Sequence, residues 1–69
     1  MRKTFTLSEL TTLRREFATI QAVSPDRLPQ FRAIFDGCED VALQQLASAN
    51  IKFVSPLAVN ACFRRGVAA

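Results

Sequence analysis

NIKFVSPLAVNACFRRG, residues 50–66, has the cadence of a tight turn followed by the second helix of a helix-turn-helix. Ser55 is expected to cap that helix. Pro56 suits its first position, where the amide that proline lacks would be unpaired in any case. Val59, Cys62 and Phe63 are expected to face inward, with Arg64 and Arg65 at the negative end of the helix dipole before Gly66. Ile51, Phe53 and Val54 form a connector too apolar to lie on the surface.

Working upstream, Glu39 and Asp40 belong to the first turn of a third helix, where the positive end of the dipole favours acids. Val41, Leu43, Leu46 and Ala47 mark its buried side, and Asn50 suits its exit. Before it, SPDRLPQFRAIF (24–35) carries Leu28, Phe31, Ile34 and Phe35 on a dense apolar face. Either Ser24 caps this helix with Pro25 in its first turn, or Asp26 caps it ahead of Pro29. Asp36-Gly37 ends it, with Gly37 expected as a left-handed cap.

FTLSEL (5–10) opens the first helix. Thr6 and Glu9 make the capping box, and Phe5 and Leu10 stand at the staple positions. Leu7, Leu10, Leu13, Phe17 and Ile20 then recur at helical spacing as one stripe, and Ser24-Pro25 stops the helix. The expected architecture is all-α, a single small helical domain over residues 1–69 with three or four helices and a helix-turn-helix-like C-terminal unit.

A chain of 69 residues buries only about 60% of the surface its unfolded form exposes, and small domains commonly add a disulfide, a metal or a second subunit. Two cysteines, Cys38 and Cys62, are too few for a disulfide framework, and no histidine is present. No Asp, Glu or Cys spacing suits a metal. A homodimer is therefore expected, its seam the stripe Leu7, Leu10, Leu13, Phe17 and Ile20. No apolar run reads as a signal peptide or a membrane span, so a cytoplasmic protein with reduced cysteines is expected.

Catalysis finds no machinery. Asp36, Glu39 and Asp40 cluster where helix stabilisation explains them, and there is neither a histidine base nor a glycine-rich phosphate loop. The chain is expected to be no enzyme, with no cofactor and no small-molecule substrate. Nine Lys and Arg against six Asp and Glu make it mildly basic, short of a dense phosphate-tracking stripe. An apolar helical surface with arginines suits protein recognition better. Phe31, Phe35, Phe53, Leu57, Arg64 and Arg65 are the expected contacts to a partner protein.

Residues 45–66 resemble the helix-turn-helix of Cro-type phage repressors through Gln45, Ala49, Val54, Ala58, Val59, Asn60 and Gly66. That resemblance implies operator binding as a dimer. The departures bear on readout: Phe53 replaces the turn glycine, Lys52 precedes it, and Ser55, Pro56 and Leu57 stand where base-reading side chains belong. Bases are read by arginine, asparagine and glutamine, and here only Ser55 and Asn60 offer donors or acceptors. Arg64 and Arg65 could hold phosphates without specifying sequence.

Over its length the chain is also similar to the quorum-sensing anti-activators of Mu-like transposable phages of Pseudomonas, through LSELTTLRREF (7–17) and ANIKFVSPLAVNACFRRGV (49–67). This resemblance implies a helical homodimer in the host cytoplasm that binds a LuxR-type transcriptional activator and stops it working. A second target in type IV pilus assembly is a further implication. The alternative is the small phage-type repressor, a DNA-binding transcriptional regulator.

Overall fold

The computed structural model describes residues 1–68. Four α-helices follow one another: α1 (Leu7–Ala18), α2 (Leu28–Asp36), α3 (Asp40–Ser48) and α4 (Val54–Arg65), with a short 3₁₀ turn at Pro25–Arg27 leading into α2. The chain is all-α, as its punctuation indicates.

The N-terminus of α1 forms as expected. The Thr6 hydroxyl accepts from the Glu9 amide at 3.1 Å, and the Glu9 carboxylate accepts from the Thr6 amide at 3.1 Å. Arg2 adds an ion pair to Glu9 and lies 4.1 Å over the Phe5 ring. The Arg2 amide donates to the Gly37 carbonyl and the Arg2 carbonyl accepts from the Glu39 amide, each at 2.8 Å, tying this leader to the turn between α2 and α3. The helix ends earlier than expected, at Ala18. Thr19 and Ile20 are β-branched and favour helix poorly, and the turn lets Ile20 and Val23 fold back onto the core.

Ser24 provides the cap ahead of α2, accepting from the Asp26 amide, with Pro25 in the first position of the 3₁₀ turn. Gly37 follows α2, but its φ of −81° is not left-handed. Its amide bonds back to Ala33 and Ile34 instead, a geometry open to any residue. Glu39 is the N-cap of α3 rather than a member of its first turn. Val41 is 54% exposed, and Ala42 takes the buried place expected of it. Asn50 leaves α3 with φ 58°, in the left-handed region that asparagine tolerates.

The core gathers Phe17, Phe31, Phe35, Leu43, Leu46, Ile51 and Val54 with Cys38, Cys62 and four alanines, Ala42, Ala49, Ala58 and Ala61. The Phe17 and Phe31 rings lie 5.8 Å apart and Phe31 and Phe35 6.5 Å apart, with Arg27 over the first pair at 5.9 and 5.7 Å. Burial pushes both thiols above their usual range, so each cysteine behaves as a small apolar packer.

Ser55 does not cap α4. The helix starts two residues earlier, at Val54 after Phe53, whose φ of 69° and ψ of −39° place it in the strained γ-turn region. Ser55 is buried, and its hydroxyl accepts from the Ile51 amide at 2.8 Å while donating to the Leu46 carbonyl at 2.7 Å. One side chain thereby satisfies two backbone groups between α3 and α4. At the other end Gly66, φ 72°, is a left-handed cap.

Ser55→Ala orphans the buried Ile51 amide, whereas the Leu46 carbonyl keeps the Ala49 amide at 3.4 Å. At about 1–3 kcal/mol per unsatisfied buried group, urea denaturation is expected to show a loss of about 1–3 kcal/mol.

The Glu9 carboxyl is held below the usual range by the Thr6 amide hydrogen bond, by Arg2 and by the Thr6 hydroxyl. A depressed folded-state pKa stabilises above the unfolded value, about 4.3. That contribution is lost as pH falls through the folded value. The Tm advantage of the native chain over Glu9→Gln is therefore expected at neutral pH and to shrink as the solution is acidified below that range.

Candidate functional site

Helix α4 presents two faces. Val54, Ser55, Ala58, Ala61 and Cys62 form its buried side. That phase follows from Val54, with Ala58, Ala61 and Cys62 recurring at helical spacing behind it. Phe63, expected inward, is 83% exposed, and Val59 is 41% exposed. With exposed Pro56 they form an apolar ridge along the outer side of α4. Asn60 and Arg64 flank the ridge on one side, and Lys52 in the preceding turn is also exposed. Beside the ridge a shallow hollow is lined by Ala47, Asn50, Lys52, Phe53, Pro56 and Val59.

The residues expected to meet a partner divide. Phe31 and Phe35 are core residues, 6% and 4% exposed, because the helix they share packs its aromatic face inward against Phe17 and α4. Neither offers a surface. Phe53 and Leu57 are half-buried against the core, leaving an edge of each outside. Arg64 is exposed, whereas Arg65 is structural. Its guanidinium donates to the Phe35 carbonyl at 2.7 Å, the Cys38 carbonyl at 2.9 Å and the Asp40 carboxylate at 3.2 Å. It locks the end of α4 onto the joint between α2 and α3.

The stripe expected as a dimer seam is largely used within the chain. Phe17 is buried, and Leu10, Leu13 and Ile20 pack part of their surface on the core. Leu7 alone stands clear, at 78% exposure. Side-chain bonds to the main chain hold α1 at both ends. Gln45 pairs with the amide and carbonyl of Phe5 at 2.7 and 3.2 Å, and Arg14 donates twice to the Ala49 carbonyl at 2.9 and 2.8 Å. Gln45 thus serves a structural purpose, tying the leader of α1 to α3.

Among the described residues no group of His, Cys, Asp and Glu is placed to hold a metal ion, and no helix is long and apolar enough to cross a membrane. An apolar cleft of about 270 Å³ runs between α1 and α2 past Leu13, Phe17, Ile20, Arg27 and Ile34, with Glu16 at its rim. No protein-family model matches the chain, and neither a curated protein nor a solved structure is detectably similar to it.

Arg65 and Arg64 should separate cleanly in substitution. Lysine cannot reproduce the guanidinium fork, so Arg65→Lys is expected to cost about 1–3 kcal/mol of stability in urea melts. Arg64→Lys, on the exposed side, should stay within about 0.5 kcal/mol.

Proposed function

We propose that the chain is a non-enzymatic protein-binding inhibitor that captures a transcriptional activator of the LuxR type through the outer face of α4. The observation that carries this is the ridge Pro56, Val59 and Phe63. A helix reading bases needs donors and acceptors on its outer side, and this one offers a proline, a valine and a phenylalanine at most of those positions. An exposed aromatic beside arginine is the composition of a protein-binding hot spot. The likeness of the two end segments to phage anti-activators points the same way, and it supplies the target class. An activator held in such a complex is withdrawn from its DNA-competent population by mass action. Self-association through α1 would use Leu7 and the outer margins of Leu10, Leu13 and Ile20, since Phe17 is already enclosed.

Phe63→Ser tests the ridge without touching the core, because the ring is 83% exposed. Loss of a hot-spot aromatic removes about 2 kcal/mol or more of binding free energy. The variant should keep its Tm while its affinity for a purified LuxR-type activator falls about 30-fold and repression of a quorum-sensing reporter is lost. Selection from random duplexes at physiological salt is expected to enrich no site. One enriched palindrome bound at nanomolar concentration would overturn the inhibitor and establish a repressor.

A further inference from the structure

Between α2 and the flank of α4 next to the ridge lies a groove of about 150 Å³, walled by Leu28 and Leu57 and edged by Arg32, Asn60 and Arg64. A neighbouring hollow is lined by the same Arg32 and Arg64 together with Asp36. Arg65 is occupied by the joint it closes, as described above. Arg32 and Arg64 are exposed and, among the described residues, join no ion pair and donate no side-chain hydrogen bond. Asp36 stands one turn beyond Arg32, in the order that makes the weaker helical pair, and it does not bind it. Two arginines therefore flank an apolar slot with their forks free.

Resting on the protein-binding reading of α4, we infer that this groove seats an acidic, apolar segment of the captured protein. One leucine-sized side chain enters between Leu28 and Leu57, and carboxylates on either side of it meet Arg32 and Arg64. Charge complementarity selects this occupant: planar guanidinium groups take carboxylates in paired hydrogen bonds, and leucine walls reject a polar backbone. Phosphates would satisfy the arginines equally. A nucleic-acid strand, however, holds its bases by stacking on exposed rings, and the rings lining this groove, Phe31 and Phe35, are only 6% and 4% exposed.

The test measures fluorescence anisotropy of the full chain with labelled probes at physiological salt. The probes are a short amphipathic peptide alternating leucine with glutamate at helical spacing, the same peptide with lysine for glutamate, the same with serine for leucine, and a DNA duplex. The acidic leucine peptide is expected to bind at least about tenfold tighter than every other probe. Arg32→Glu combined with Arg64→Glu should reverse the preference, losing the acidic peptide and gaining the lysine peptide, while Arg15→Glu on α1 changes neither. Tighter binding of the duplex, or indifference of the acidic peptide to the double reversal, would overturn the inference. The α4 ridge is judged separately. If Phe63→Ser abolishes capture of the activator and the double reversal leaves it intact, the groove is overturned and the ridge stands. Loss of capture in both variants supports the two surfaces acting together.

Discussion

The arrangement of α3 and α4 depends on one buried hydroxyl. Ser55 bridges the last carbonyl-bearing turn of α3 and the amide that opens the connector, so the two helices cannot part without exposing unpaired backbone groups. With the two helices held there, Ala42, Ala49, Ala58 and Ala61 are buried beside Leu43 and Leu46. Val54, Ala58, Ala61 and Cys62 take the inward side of α4. Phe63 and Val59 fall on the other side of the helix and become the ridge. The outward apolar face of α4 is thus a packing consequence of the way its inward face is built.

Arginine closes the remaining joints. Arg2 binds Glu9 at the first cap, Arg14 covers the Ala49 carbonyl at the carboxyl end of α3, and Arg65 gathers two carbonyls and Asp40 where α2 gives way to α3. Among the described residues no buried side-chain nitrogen or oxygen lacks a partner. The mild positive charge of the sequence therefore divides into structural cations and exposed ones. Arg32 and Arg64, side by side between α2 and α4, belong to the second kind.

Local chemistry was legible in the sequence wherever the determinant is local. The Thr6–Glu9 box, the Asn50 exit and the Gly66 stop all depend on residues within a turn of one another, whereas Ser24 and Asp26 were equally eligible as the cap ahead of α2. Helix phase was less legible. Ranking side chains by size turned Val41 and Phe63 inward, whereas the core selected the small Ala42, Ala58 and Ala61, whose contribution lies in how closely backbones can approach. Arg65 was unreadable for a different reason: its three acceptors lie 25 to 30 residues away in sequence. Ser55 looked like a cap because serine before proline usually is one, and only the path of the connector shows that its hydroxyl reaches backward.

The turn at Phe53 has a consequence for how this sequence can vary. Its positive φ is a conformation glycine adopts freely, while the ring that occupies it packs on the core. Glycine would be favoured there by the backbone and phenylalanine by the side chain. Alanine or serine would have neither advantage, carrying a Cβ into a strained turn without a ring to hold it. The two solutions are separated by a valley of less stable intermediates, so a lineage settled on one is poorly placed to drift to the other.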